Sequence, residues 1–246
     1  MSEIITTEAL VLNKINYGDT SIIASFYTKD FGRLSGILKG GRSSKSKIGK
    51  AVDPLNHLEI ILYKKDTREL QLVTNVSIIT HFQAIKEDYE KLQYALAVIE
   101  LLKKLTPEHE SNLHLFSGTI RILSLINASK EEPLVLFGRY YLFFLTETGY
   151  EPQFEQCVSC GKSNLGNENL AYNYDLGIFC EKCGRENINS ISIEMELFQY
   201  LLCLKHNKPA EKISNTIKER AIGFLERFTK HHIPDFKGLQ SIQLFK

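Results

Sequence analysis

Over the first eighty residues, apolar and polar positions alternate in short runs. Glu8–Asn13, Ser21–Thr28, Gly32–Lys39, Leu55–Tyr63 and Leu70–Asn75 are rich in Ile, Val, Leu, Tyr and Phe. They are separated by NYGD, KDFG, a long stretch ending in DP, and KKDT, all turn signals. Five short strands with one long loop between the third and fourth predict a small Greek-key barrel. The five-stranded OB-fold is the commonest such barrel, and it generally binds single-stranded nucleic acid.

The period changes near Ile85. Tyr89, Leu92, Tyr94, Ala95, Val98, Ile99, Leu101, Leu102 and Leu105 follow helical spacing. Thr106-Pro107-Glu108 reads as an N-cap, a first-turn proline and a first-turn acid, opening a segment that becomes helical over Leu113–Ile126. SKEEP at 129–133 introduces a third helix, LVLFGRYYLFFLTETG, apolar on nearly every side and therefore expected to be central. Helices resume over Ile193–Lys205 and Thr216–His231, with Thr216 to Glu219 matching a capping box. Between them lies a segment of about 152–186 that contains four of the five cysteines. Neither half of the helical pattern could bury its own apolar face. The expected organisation is thus an OB-fold domain over 1–80 and a helical bundle over 81–246 with an inserted ribbon, an α+β multidomain fold.

The cysteines define the insertion. Cys157 and Cys160, then Cys180 and Cys183, form CVSC and CEKC nineteen residues apart. Two residues between thiolates let one turn present both sulfurs to one ion, and two such turns complete a tetrahedron. Four sulfur ligands leave no open coordination position, so one structural zinc is expected. Gly161 and Gly184 follow the pairs, where a turn of positive φ is expected. Two disulfides or a redox pair fit less well, because MSEIITTEALVLNK does not resemble a secretory signal and a cytoplasmic compartment is expected. Cys203, in FQYLLCLK, reads as a small core residue.

Charge changes the picture only locally. The chain of 246 residues carries a formal net charge of +1, so bulk electrostatics argue for no particular partner. From Lys29 to Lys50, however, there are seven Lys/Arg and one Asp. LKGGRSSKSKIGK, residues 38–50, contributes five of these cations and no acid. A solvated linker and a phosphate-contacting loop both fit that composition. Anchorage by strands at both ends, and glycines that permit close backbone approach, favour phosphate contact. Its serines and glycines predict poor order when no nucleic acid is bound. With no tryptophan, base stacking would fall to Tyr17, Phe26, Tyr27, Phe31 or Tyr63. In Phe26-Tyr27 one ring is expected in the core and the other at the surface.

Catalytic constellations are missing from the sequence. The glycine-rich stretch fails the P-loop template, because Ser44 and Ala51 stand where it requires glycine and a hydroxyl residue. The seven histidines form no HExxH, and the adjacent His231-His232 read as helix-end cations on different faces. No apolar run reaches the ~18–20 residues of a membrane span.

Three blocks together resemble the RecO family of bacterial recombination mediators and DNA repair proteins. They are TEALVLNKINYGDTSIIASFYTKDFGRLSGILKGGRSSKSK with LNHLEIILY, the paired CxxC ribbon after Gly149, Tyr150 and Pro152, and the ending LERFTKHHIPDFKGLQSIQLF. The resemblance implies a non-catalytic, cytoplasmic and nucleoid-associated protein. It implies binding to single- and double-stranded DNA and annealing of complementary strands without ATP hydrolysis. It also implies partners: RecR, the C-terminal tail of the single-strand-binding protein, and indirectly the RecA filament. Carried onto this sequence, it assigns DNA contact to Arg33, Lys39, Arg42, Lys45, Lys47 and Lys50. Arg139 is a candidate for the partner tail and equally for an ion pair inside the bundle. Gly41 departs from the alanine common in the family and is expected to loosen the loop. An interaction scaffold with structural zinc, in which the loop is only a linker, is the competing reading.

Overall fold

The computed structural model describes residues 3–65, 67–166, 169–187, 189–209 and 213–243. Packing divides the chain into two units, Met1–Lys130 with Leu239–Lys246, and Glu131–Gly238. No helix among the described residues is long and apolar enough to cross a membrane.

In the first unit, β1 (Glu3–Tyr17), β2 (Ser21–Thr28), β3 (Gly32–Leu38), β4 (His57–Lys64) and β5 (Leu70–Thr80) close into a barrel in the order β1-β2-β3-β5-β4. All neighbours are antiparallel except β3 and β5, as the OB-fold requires. The alternation read from the sequence is the inward set: Ala9, Val11, Ala24, Phe26, Leu34, Leu58, Ile60, Leu62 and Val73 fill the interior. β1 is much longer than its apolar run. A register shift between Val11 and Asn13 bends it, so that its first half pairs with β4 and its second with β2.

Phe26 and Tyr27 are both buried, against the expectation that one ring would reach the surface. Phe26 lies inside the barrel. Tyr27 points outward but is covered by Phe116, 6.2 Å away between ring centroids. Phe116 belongs to the helix that follows the barrel in space, so an alternation argument confined to the strand could not foresee the cover.

The helices α2 (Gln83–Glu87), α3 (Tyr89–Leu105) and α4 (Leu113–Ala128) follow the barrel in this unit; α1 (Lys47–Ala51) lies within the β3–β4 loop. Thr106 does not cap a second helix. It ends α3, its hydroxyl donating to Leu102 O at 2.6 Å, and Asn112 caps α4 by accepting from Leu115 N. The residues between them run beside β3, where Arg33 bridges Glu108 and His109 N donates to Arg33 O.

The second unit contains α5 (Pro133–Glu147), β6 (Leu170–Asn173), β7 (Gly177–Phe179), α6 (Glu181–Glu186), β8 (Ile191–Ile193), α7 (Met195–Lys205) and α8 (Asn215–His232). α5 buries eleven of its fifteen residues and is central, as its all-round apolar pattern predicts. The capping box at Thr216 is not formed. Ser214 caps α8, accepting from Ile217 N, and Thr216 lies inside the helix.

A short last helix, α9 (Gln240–Gln243), returns to the first unit. Glu100 on α3 receives Gln240 N at 2.8 Å, Ser241 N at 2.9 Å and Ser241 Oγ at 2.6 Å. Burial opposes ionisation of Glu100, but these bonds and Lys104 outweigh it, holding its pKa below the ordinary 4.5. A carboxyl with a depressed folded pKa stabilises above its unfolded value and loses that contribution as pH falls through it. Melting temperature is therefore expected to fall between pH 7 and pH 3 more steeply in the parent than in Glu100→Gln. Parallel curves would remove Glu100 as the titrating anchor of α9.

Candidate nucleic-acid interface and metal centre

The stretch after β3 is folded, contrary to the expectation of poor order. Gly40 turns at φ 69°, Ser43 N donates to Gly40 O, and Ser46 N donates to Ser43 O. Ser46 then caps α1 by accepting from Gly49 N at 3.1 Å. Gly41 does not loosen the loop; it packs it. A Cβ on Gly49 would stand 1.7 Å from Gly41 O, and one on Gly41 would crowd Ile22 at 3.2 Å. The two glycines let the loop close on itself.

Folding the loop fixes its charge in place. Arg42 N donates to Thr20 O at 2.9 Å, and Arg42 Nη1 donates to Gly18 O at 2.6 Å. The β1–β2 turn thereby becomes part of the site, which its sequence marks only as a turn. Lys39, Arg42, Lys45, Lys47 and Lys50 are all exposed. Lys47 and Lys50, three apart on α1, share one side of it. Among the described residues none of these five has a carboxylate within ion-pairing distance, whereas Lys14 and Lys86 take Asp53, and Lys29 takes Glu8. The loop is thus a cluster of uncompensated positive charge standing on the barrel.

Arg33 is not brought into this cluster. It lies at the opposite end of β3, its side chain 24% exposed, with Nη1 donating to Lys103 O at 3.1 Å and Nη2 3.5 Å from Glu108. Arg139, in the second unit, is held by both oxygens of Glu131 at 2.8 Å and donates to Lys208 O at 3.1 Å. The ion-pair alternative for Arg139 is therefore present.

The four spaced cysteines converge. Their Sγ atoms all lie within 4.8 Å of one another, and Cys160 and Cys180 are 3.8 Å apart. Sulfurs bound tetrahedrally at ~2.3 Å from one zinc would be about 3.8 Å apart. The two turns share one backbone bond, from Gly161 N to Cys157 O and from Gly184 N to Cys180 O, both 2.8 Å. They then diverge. Gly161 leaves at φ 74° as expected, but Gly184 is helical, within α6. Gly184 is needed for space, since a Cβ there would meet Ala171 Cβ at 2.8 Å.

The donor set fits a cation on chemical grounds as well. Burial alone would raise the Cys157 thiol, but backbone N–H groups of Cys180, Cys160 and Ser159 bring it to about 6. At Cys183 the Ser159 hydroxyl pulls down, while sharing with Cys180, burial, Cys160 and Cys157 together push it up to about 12. Four sulfurs this close cannot all ionise without a positive charge among them. These residues could therefore hold a metal ion.

The cysteine module is seated on α8 by aromatic contacts. The rings of Phe154, Tyr172 and Phe224 pack tilted or edge-on, with centroids 5.0–5.9 Å apart. His231 Nε2 lies 2.7 Å from Asp175 Oδ1, and His232 Nε2 donates to Tyr174 O at 2.9 Å. The two histidines therefore serve one turn of the module, not two faces of solvent. Sequence spacing could not show this, because the turn lies far from them in the chain.

Comparison with known proteins agrees with this architecture. The family model described as Recombination protein O N terminal matches residues 1–82, and that described as Recombination protein O C terminal matches residues 86–240. The chain is 27% identical to the DNA repair protein RecO of Chloroherpeton thalassium, over 97% of this chain and 96% of that protein. It is 36% identical to the RecO of Chlorobium phaeobacteroides strain BS1, over 70% and 68%, and 29% identical to that of Alkaliphilus metalliredigens, over 99% of each.

Proposed function

The chain belongs to the RecO family of DNA repair proteins, and from that premise we propose that it is a non-catalytic recombination mediator that binds single- and double-stranded DNA and anneals complementary strands. The observation that carries the reading is the folded loop: five exposed cations without carboxylate partners among the described residues, standing between two strands of a closed OB barrel. Cations so placed contact phosphate regardless of sequence. Lys39, Arg42, Lys45, Lys47 and Lys50 form the proposed surface. Arg33, half committed to Lys103 and Glu108, is the weakest of the six for phosphate contact.

Annealing needs no bond-making group on the protein. Two strands repel through their phosphates. A cationic surface that holds both lowers that repulsion, and base pairing then drives the reaction. The same surface would deliver strands to the partners proposed from the family: RecR, the acidic tail of the single-strand-binding protein, and through them RecA. Arg139 is the proposed contact for that tail, and a tail carboxylate there would displace Glu131. The metal proposed at the four cysteines is one zinc, supplying a rigid crosslink between two turns. A cytoplasmic, nucleoid-associated location completes the reading.

The test is annealing of two complementary oligonucleotides by the purified protein without nucleotide. An accelerated rate that falls steeply with salt is expected. A rate equal to the protein-free rate at low salt would overturn the proposal.

A further inference from the structure

The four clustered sulfurs are alike in chemistry but not in access. Cys157 and Cys180 are 1% and 4% exposed, Cys183 is half-buried, and Cys160 is exposed. An oxidant arriving from solvent meets Cys160 first. Its Sγ lies 3.8 Å from that of Cys180, in the other turn. A disulfide is ~2.05 Å long, so the two sulfurs must close by about 1.7 Å.

The two turns differ in how far they can give. The second is fixed. Cys180 follows β7 and holds the N-cap position of α6, and a Cβ on Gly184 would meet Ala171 Cβ at 2.8 Å. The first is held at its start, where Cys157 N donates to Lys162 O at 2.8 Å and Val158 N donates to Ile178 O at 2.9 Å. Its far end is open, since a Cβ on Gly161 would meet nothing within 4 Å. Cys160 stands at that end, so its sulfur is the one with room to move.

We propose that this centre is a peroxide-responsive thiol site, in which Cys160 is attacked, Cys180 resolves the product and the bound metal is released. The proposal rests on the zinc inferred above and goes beyond its structural role. The Cys160 thiolate attacks one oxygen of hydrogen peroxide. The O–O bond breaks, hydroxide leaves, and the sulfur becomes a sulfenic acid. The Cys180 thiolate then attacks that sulfur. The S–O bond breaks, a second hydroxide leaves, and the S–S bond forms. Peroxide gains two electrons, and two thiolates supply them. Cys157 and Cys183 remain, and two ligands do not complete a tetrahedral site. The new bond joins the same two turns that the metal would join, so the module keeps a crosslink while losing its ion. Cys203, the fifth cysteine, lies in α7 outside the cluster and takes no part.

The test uses the full chain and a Cys203→Ser variant, both purified without chelator. Zinc is measured first, with one ion per chain expected. Hydrogen peroxide is then added in molar excess. Released zinc is followed with a chromogenic indicator, remaining thiols are counted after denaturation, and the disulfide is located by peptide mass mapping. Two thiols are expected to disappear for each zinc released, equally in parent and variant, and the crosslinked peptides are expected to contain Cys160 and Cys180. Dithiothreitol with added zinc is expected to restore both thiols and the metal, because a disulfide is reversible and higher sulfur acids are not. A disulfide within one turn as the main product, oxidation past the disulfide before release, or zinc retained after peroxide would overturn the proposal while leaving the structural zinc intact. Untreated protein without zinc would overturn the metal reading and the peroxide site with it.

Discussion

Lys39→Glu combined with Arg42→Glu is expected to weaken single-strand and duplex binding by orders of magnitude at low salt, with the barrel still folded. The reason is electrostatic. Each phosphate neutralised contributes about 0.7 to the log–log salt dependence on single strands and about 0.9 on duplex. Losing two such contacts lowers the slope by about 1.4 to 1.8, and two new anions repel the same backbone. The substitution also removes the bond from Arg42 to Gly18 O, so the β1–β2 turn loses one of its holds. Lys45→Glu with Lys47→Glu separates the two effects, because neither of those side chains holds the turn. A salt-dependent titration of both double variants is the measurement. If neither changes affinity or slope, the loop is not the phosphate surface.

The second large effect concerns the cysteines. One zinc per chain is expected in protein prepared without chelator, and Cys157→Ser is expected to lose it. Changing an outer partner of a ligand costs 10–100-fold in metal affinity, and a ligand itself costs more. Because metal affinity is folding energy, that is at least ~1.4–2.8 kcal/mol, or on the order of 5–10 °C in melting temperature. The loss should fall on the second unit, since Phe154 and Tyr172 of the module pack on Phe224 of α8. Chelator should reproduce the shift in the parent and leave the variant unmoved. Metal analysis returning no zinc, or equal melting temperatures with and without chelator, would contradict it. Barrel-borne DNA binding should survive the substitution.

Much of this was legible in the chain because it depends on local periodicity or spacing. Alternation marked all five strands, since a barrel wall must present every second side chain to one interior. The spacing of Cys157, Cys160, Cys180 and Cys183 announced their convergence, because ligand turns impose it. What failed were inferences about ends and faces. Thr106 and Thr216 have the residue types of N-caps, but Asn112 and Ser214 hold those positions. Capping preference is worth only about 1 kcal/mol, and packing of the helix face overrides it. Gly184 was expected in a left-handed turn and stands in a helix, its small size serving Ala171 instead.

The sequence by itself determined the barrel's interior, the central position of α5, the four-cysteine cluster and the concentration of positive charge between Lys29 and Lys50. Each follows from residue type and spacing along the chain alone. Tertiary structure alone decided which of those charges stand free and which surfaces stay open. Arg33 and Arg42 look alike in sequence, nine residues apart, one at the start of β3 and one beyond its end. One is tied to Lys103 and Glu108 by the α3–α4 connection, and the other faces solvent while holding the β1–β2 turn. Likewise Tyr27 is covered by Phe116 while Ile23, on the same face of the same strand, is half-exposed. The physical reason is that burial and charge compensation are set by whatever packs across the gap, and that partner lies tens of residues away in the chain.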